Sequence, residues 1–446
     1  MATTIILHGY SDEGSNFVNL ARFLEDQGMD VISIRLGNYL TLEDSVTIED
    51  LAAAFETVLD ARKIPHGAGD LNLVVHSTGS LVAREWLTRF YLEQNRPCPV
   101  RRYLMLAPAN FGSPLAAMGK TMVGRIVKGW KSGFESGRAV LDALEMGSSY
   151  TWQLARRDLF GPRSFYDPTI CMAAVLVGSK PYGTGLRKLS DENGGDGTVY
   201  VCTANLNATG LTALFGGRDD PTVVQPWPRT AQPIAFGVFP DRDHTSIKNP
   251  DTGTKVLGRT IARFLQLQTP DDYAAFSAEC DALTAATLPP NPKDEKYHTY
   301  QNLAARVTDD LGHPVRDYFL EFYEKAKSPA DETKVDDLMV QIHTEVLESV
   351  HNYKPDPSYR SLLFDLTDLG RALGTRKKLM FSLSAAPVSE LVSYRSGKDV
   401  NDVSELAVSG KGASFWRANE TLLADIVIRR QQAEKLFGLL DVPPRK

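Results

Sequence analysis

Residues 71–79 read Leu71-Asn72-Leu73-Val74-Val75-His76-Ser77-Thr78-Gly79, and the helical stretch LVAREWLTRF follows almost at once at 81–90. A short apolar run of this kind predicts a buried parallel strand. The glycine two residues after the serine predicts a sharp turn into the helix. A strand, a tight turn carrying a serine and then a helix make a nucleophile elbow, which lifts the hydroxyl above the sheet edge beside the N–H groups of a helix start. The usual pattern is G-x-S-x-G. Here Val75 stands at the first glycine position, so the elbow is read from Ser77 and Gly79. A plain strand-to-helix turn would show much the same residues, so the reading depends on what surrounds it.

Working outward, Thr4–Leu7 reads as an earlier apolar strand ending in His8-Gly9-Tyr10. Phe17, Leu20, Ala21 and Leu24 fall on one helical face, and Gly28 ends that helix. Val31–Ile34 is the next strand, and Ile48, Leu51, Phe55, Val58 and Leu59 mark a second amphipathic helix. Further strands are expected at 103–106, 170–177 and 234–239, with a closing helix carrying Val256, Leu257, Ile261, Phe264 and Leu265. Strands alternating with amphipathic helices predict an α/β fold with a doubly wound, mainly parallel sheet. Right-handed crossovers place the carboxyl ends of its strands along one edge, where such sheets hold ligands.

Candidate catalytic residues fall on that edge in the order Ser77, Asp196, His244. A serine hydroxyl needs a base to act as a nucleophile near neutral pH. His244, in Asp241-Arg242-Asp243-His244-Thr245-Ser246 after the last strand, is the histidine left over once the others are placed. His8 and His76 flank the two turns, His66 precedes the elbow strand, and His298, His313, His343 and His351 lie beyond the closing helix. Asp196, in the glycine-rich loop Gly194-Gly195-Asp196-Gly197, is the expected acid that orients the ring. Asp191, Asp219, Asp220 and Asp241 are rivals in nearby loops, and Asp243 adjoins the histidine too closely for easy contact. An acyl-transfer serine also needs two N–H donors aimed at the developing oxyanion. The expected donors are the backbone N–H groups of Thr78 and Tyr10. Between strands, residues 112–168 form an insertion in which Met118, Met122 and Ile126 recur every four residues beside Val123, Val127 and Trp130. This is read as a helical cap whose Met118, Met122, Ile126 and Trp130 wall an acyl-binding site, methionine suiting flexible apolar ligands.

Taken together, ILHGY, VVHSTGSLVAREW, NFGSP, GGDGTVYV and DRDHTSI resemble the α/β-hydrolase group of bacterial lipases, lecithin-cholesterol acyltransferase-like enzymes and related lipid esterases. The resemblance covers residues 3–268. It implies the triad Ser77, Asp196 and His244, an oxyanion hole from Tyr10 and Thr78, and substrates that are esters with an acyl chain; this chemistry requires no cofactor or metal, and the acidic pair Asp241 and Asp243 could hold a calcium ion near the base. Two departures stand out. Val75 replaces the first elbow glycine, and the chain starts directly on the oxyanion strand. The second departure leaves a minimal sheet of about six strands.

The length of 446 residues allows two or three domains, and a 43% hydrophobic content fits a globular chain. The expected organisation is a catalytic domain at 1–268, a linker at 269–296 that begins helically and ends in LPPNPKDEK, rich in proline and charge, and a β-rich, sandwich-like accessory domain at 297–446. Within the last, Leu303–Val307 and Tyr318–Phe322 flank Asp310-Leu311-Gly312-His313-Pro314 and read as a hairpin. The net charge of −6 without a basic run argues against nucleic acid as a partner. The scattered cysteines Cys98, Cys171, Cys202 and Cys280 read as reduced and packed. No stretch is apolar for long enough to span a bilayer, and the first residues read as a strand rather than a signal peptide. A cytoplasmic chain is expected, or one exported without a classical leader, with lipid-surface association through the cap or the accessory domain. The expected activity is hydrolysis of lipid esters, as in a lipase or phospholipase. The alternatives are an acyltransferase or thioesterase using the same residues, a delivered antibacterial phospholipase, and a non-enzymatic hydrolase-like binding protein acting through its C-terminal module.

Overall fold

The computed structural model describes residues 2–8, 17–34, 45–118, 137–182, 193–215, 223–250, 255–287, 298–323, 332–374, 379–386, 389, 392–394, 405–407 and 415–432. The strands β1 (Thr3–Leu7), β2 (Val31–Ile34), β3 (Leu71–His76), β4 (Val100–Leu106) and β5 (Met172–Gly178) pair in parallel. After β5, β6 (Thr209–Phe215) and β7 (Val223–Pro226) leave this sheet, and β8 (Ala235–Phe239) returns to complete it in the order β2-β1-β3-β4-β5-β8. All five ladders are parallel, which matches the expected six-stranded minimum. β3, β5 and β8 are buried along their whole length, as strands covered on both faces must be.

Helices cover both faces. α1 (Val18–Asp26) buries Leu20 and Leu24, and Gly28 behind it takes a left-handed φ of 80°. α2 (Ile48–Ala61) starts with a reciprocal capping box between Thr47 and Asp50 and buries Ile48, Leu51, Phe55 and Leu59. The elbow helix α3 (Gly79–Leu87) is buried on every side and runs on as a wider turn to Leu92. Val75 fits because it is an ordinary buried member of β3, paired with Leu7 on one side and Met105 on the other. Gly79 cannot be replaced so easily, since a Cβ there would sit 2.9 Å from the Leu7 carbonyl oxygen.

The insertion after β4 turns back onto the body. α4 (Arg138–Leu144) buries Val140, Leu141 and Leu144 in the hydrolase core, and α5 (Ser149–Asp158) buries Trp152, Leu154 and Ala155 there. A short α6 (Val201–Ala204) follows the acid loop, and α7 (Val256–Gln266) is the expected closing helix.

Two segments differ from the sequence expectation. Residues placed in a linker form α8 (Pro270–Ala285), opened by a Thr269/Asp272 capping box with Pro270 in its first turn. It buries Phe276 and Cys280 in the hydrolase core, and the Tyr273 hydroxyl donates to the Ala173 carbonyl at 2.7 Å. Thus α8 is part of the body built on the first sheet. The second difference is β6, which lies within 1–268 but pairs with the far end of the chain.

That second sheet has the order β11-β12-β9-β16-β6-β7, with β9 (Tyr300–Asp309), β11 (Leu347–Asn352), β12 (Tyr359–Asp365) and β16 (Thr421–Ile428). β16 runs parallel to β6 on one side and to β9 on the other. A smaller sheet holds β10 (Tyr318–Tyr323), β13 (Met380–Ala385) and β15 (Glu405–Ala407). Apolar residues from both sheets meet in a separate core that includes Leu303, Val307, Leu320, Phe322, Phe364, Phe381, Leu383 and Ile426. The module is therefore β-rich and sandwich-like, as expected. The expected hairpin is cut short, however: Thr308 and Pro314 form one antiparallel bridge, with the Val315 N–H donating to the Val307 carbonyl at 3.0 Å, and among the described residues no ladder joins β9 to β10. The chain does reverse at Asp310–Pro314, but β10 pairs with β13 while β9 pairs with β12 and β16. The reversal is a corner between the two sheets. Among the described residues, no helix is long and apolar enough to cross a membrane. All four cysteines are free and buried.

Candidate active site

Ser77 follows the last residue of β3 with a left-handed φ of 54°. A non-glycine residue is rarely held there unless the surroundings force it. The surroundings do so here. The Ser77 N–H donates to the Leu106 carbonyl at 3.2 Å, and its carbonyl accepts from the Ser80 N–H at 3.1 Å and the Ser80 hydroxyl at 2.8 Å. Thr78 heads α3, with its N–H among the first helical donors that have no acceptor inside the helix.

The acid loop is closed by its own hydrogen bonds. The Asp196 N–H donates to the Val199 carbonyl at 3.0 Å, and the Val201 N–H to the Gly194 carbonyl at 2.9 Å. One Asp196 carboxylate oxygen, Oδ1, accepts from the Thr198 and Val199 N–H groups at 2.9 and 2.8 Å. The other, Oδ2, lies 2.9 Å from His244 Nδ1. The carboxylate accepts, so Nδ1 carries the proton and Nε2 presents its lone pair. That Nε2 is 3.1 Å from the Ser77 Oγ. A main-chain bond from the His244 N–H to the Asp196 carbonyl, at 3.0 Å, ties the two loops together. Asp196 is wholly buried and His244 is 7% exposed, which shields the pair from competing water. The structure thus brings together the three residues named from the sequence, in a chain from hydroxyl to imidazole to carboxylate.

Among the rival acids, Asp241 pairs with Arg242 at 3.5 Å. Asp243 caps its own turn, accepting from the Thr245 and Ser246 N–H groups at 2.9 and 2.7 Å. Asp191, Asp219 and Asp220 lie outside the described residues, as do Tyr10, Met122, Ile126 and Trp130 and the side chain of Met118.

His76 is a site residue that the sequence reading passed over. Its Nε2–H donates to the His244 carbonyl at 2.9 Å, and its ring lies 4.7 Å from the His244 ring. Burial pushes its pKa well below the ordinary value, and the charges of His244 and Lys248 push the same way. His76 is therefore held neutral as a main-chain anchor for the base. The sequence signal was a histidine immediately before the nucleophile. His8, at the end of β1, has its Nε2 2.7 Å from the Ser33 Oγ and its ring 4.0 Å from Phe17.

Arg84 of α3 ties the elbow helix to the body. Its Nε and Nη2 donate to the two oxygens of Asp158 at 2.8 and 3.0 Å, and its Nη1 donates to the Asn110 carbonyl at 3.1 Å. Both partners are buried. The Arg84 pKa is raised: burial opposes the charge, and Asp158 more than restores it.

No protein-family model matches the chain, and no curated protein matches it. Among solved structures it is similar to phospholipase PlaB from Legionella pneumophila, with 24% identity over 100% of this chain and 98% of that chain and a TM-score of 0.82. The same phospholipase in complex with thio-NAD matches over the same shares at 24% identity, with a TM-score of 0.81. The likeness extends through the second sheet as well as the first. The chain has the fold of an α/β-hydrolase joined to a β-rich module, in the arrangement of that phospholipase.

Proposed function

We propose that the protein is a serine carboxylic-ester hydrolase acting on lipid esters, with Ser77 as nucleophile, His244 as general base and acid, and Asp196 as the group that orients the ring. The observation that carries this reading is the continuous bonded chain from the Ser77 hydroxyl through His244 to the buried Asp196. The lipid class of the substrate is favoured by the full-length likeness to a phospholipase.

In the proposed reaction, His244 Nε2 takes the Ser77 proton as Oγ attacks the acyl carbonyl carbon. The oxyanion that forms is met by the Thr78 N–H and, by the resemblance of the first turn, by the Tyr10 N–H. The imidazolium shares its second proton with Asp196, which stays ionised. The tetrahedral species collapses, His244 returns the proton to the leaving alcohol, and the acyl group remains on Ser77. Water then attacks the acyl carbon as His244 takes its proton, and the second tetrahedral species expels Ser77 Oγ, which regains that proton from His244 as the carboxylic acid leaves. The cap residues Met118, Met122, Ile126 and Trp130 are assigned to the acyl wall, which would form part of any lipid-facing surface.

The test is turnover of a p-nitrophenyl ester series from short to long acyl chains, together with phosphatidylcholine vesicles, for the wild type and Ser77→Ala. Long-chain and vesicle turnover that disappears in the variant is the expected result. Turnover of short chains alone would keep the triad and remove the lipid substrate. Equal turnover by both proteins would sink the assignment of Ser77.

A further inference from the structure

The acid loop does not stand on the hydrolase sheet alone. Gly194, two residues before Asp196, has a φ of 76°, and a Cβ built there would overlap the ring of Tyr300. Tyr300 is the first residue of β9 in the second sheet and is buried. Beyond Asp196, Tyr200 and Cys202 pack with Tyr300, Leu363 of β12 and Met146 of the insertion, in a small apolar cluster apart from both main cores. Polar bonds reinforce the joint. The Thr421 hydroxyl donates to the Cys202 carbonyl at 3.1 Å, the Asn205 side chain donates to the Asn419 carbonyl at 2.7 Å, and the Asn419 N–H donates to the Tyr300 carbonyl at 2.8 Å. The chain then continues into β6, which is itself a strand of the second sheet. The loop holding the acid is thus flanked on both sides by contacts to the C-terminal module.

We propose that Tyr300 is a positioning residue for the triad: its ring fixes Gly194 and so sets where Asp196 meets His244, which makes the C-terminal module a working part of the active site. The physical argument is one of lever length. Only Gly195 separates Gly194 from Asp196, and both lie in a loop closed by short main-chain bonds. If the ring is removed, Gly194, the residue with the widest choice of backbone angles, gains room to move. The carboxylate moves with it while the His244 main chain stays anchored by His76. The inference rests on the triad reading above, so Ser77→Ala is run beside every variant.

The test compares Tyr300→Ala, Tyr300→Phe and Gly194→Ala for kcat, KM, the pH profile of kcat/KM and thermal midpoint. Misplacement of a reacting group by about 1 Å can cost on the order of 100-fold, so Tyr300→Ala is expected to lower kcat by roughly 10- to 100-fold with KM little changed. Because a displaced Asp196 no longer orients the base in the same way, the acid limb of the profile should change as well. Tyr300→Phe keeps the ring and should stay close to wild type. Gly194→Ala presses a Cβ on the ring and should show the same kcat and acid-limb changes. The double variant should lose less than the product of the two single losses, because the added methyl then has space. A Tyr300→Ala protein with a lower midpoint but wild-type kcat and acid limb would overturn the proposal, as would a Tyr300→Phe protein impaired as badly as Tyr300→Ala. If Tyr300→Ala does not fold, Gly194→Ala decides, and unchanged kcat there counts against the proposal. Activity surviving in Ser77→Ala would instead mean that the triad reading itself had failed.

Discussion

Replacing Asp196 by asparagine asks whether the buried carboxylate controls the tautomer of the base. The two oxygens have separate duties: Oδ1 accepts two main-chain N–H groups and Oδ2 accepts the His244 Nδ1–H. Asparagine has one oxygen and one NH2 for these places. If its oxygen keeps the Thr198 and Val199 N–H groups, its NH2 faces Nδ1. His244 must then carry its proton on Nε2, where it cannot accept from Ser77. If the amide flips to serve Nδ1, the two buried N–H groups lose their acceptor and face an NH2. Each such loss costs about 1–3 kcal/mol. The productive orientation is therefore disfavoured by about 2–6 kcal/mol, or roughly 30- to 10⁴-fold at about 1.4 kcal/mol per tenfold. Wrong-tautomer loss in a comparable triad is about 10⁴-fold, which places Asp196→Asn near the upper end of that range. Because the first orientation keeps the loop bonds, the fold should survive. The assay is steady-state hydrolysis of a p-nitrophenyl ester with a thermal melt on the same preparation. A loss in kcat of less than about tenfold in a folded protein would refute the reasoning, since such a loss leaves no room for tautomer control.

Other parts of the structure give equally direct expectations. Arg84→Met leaves Asp158 buried without its cation and should cost about 3–5 kcal/mol in urea unfolding, whereas Arg84→Met with Asp158→Leu should cost less; a single-variant cost under about 1 kcal/mol would contradict the buried pairing. Gly79→Ala places a Cβ 2.9 Å from the Leu7 carbonyl oxygen and should destabilise by about 1–3 kcal/mol while lowering kcat, because the elbow helix must back away from β1; a neutral variant would show that the contact can relax freely. His76 gives a pH prediction. Its folded pKa lies well below the ordinary value near 6.5, so between the two the unfolded chain binds a proton that the folded chain refuses. Stability should therefore fall as the pH drops from about 6.5 into that window. His76→Gln, which retains a donor for the His244 carbonyl but cannot titrate, should lose less stability between pH 7 and pH 5 than the wild type. Parallel curves for the two proteins would show that His76 does not carry the effect.

The residues of the first sheet were legible because their roles are local. A parallel strand covered on both faces must be a short apolar run, and β3, β5 and β8 all are. Their sequence also fixes which loops lie at the carboxyl edge, so Ser77, Asp196 and His244 could be named before any distance was known. Two features escaped because they depend on pairing between distant parts of the chain, and a third, the packing of α8 into the body, escaped because of the residues that follow it. β6 has no partner within 190 residues on the β16 side, since Leu422 pairs with Thr209. The Asp310–Pro314 reversal has true turn residues, but turn chemistry fixes only a change of direction and does not say which strand the returning chain joins. For α8, the proline and charge that follow it suggested a linker. Its local signals, the Thr269/Asp272 box and the buried Tyr273, Phe276 and Cys280, belong to a packed helix.

The same long-range pairing explains why the second module and the first-sheet body are best regarded as one structural unit. An appended domain usually joins through one linker and a surface that could be cut without disturbing either core. Here the hydrolase region gives up β6 and β7 to the second sheet, and the second sheet returns Tyr300, Leu363 and Thr421 to the loop that carries Asp196. A second tie lies on the insertion side, where buried Glu145 meets His351 Nε2 at 2.7 Å and accepts from the Lys354 N–H at 3.2 Å. Cutting after residue 268 would remove the parallel partner of β6, the helix α8 under β5 and β8, and the ring beneath Gly194. The fragment would then hold Ser77, Asp196 and His244, but the Asp196 loop would lose its contacts with Tyr300, Leu363 and Thr421. On this architecture, Ser77 and His244 depend on one module and Asp196 on both.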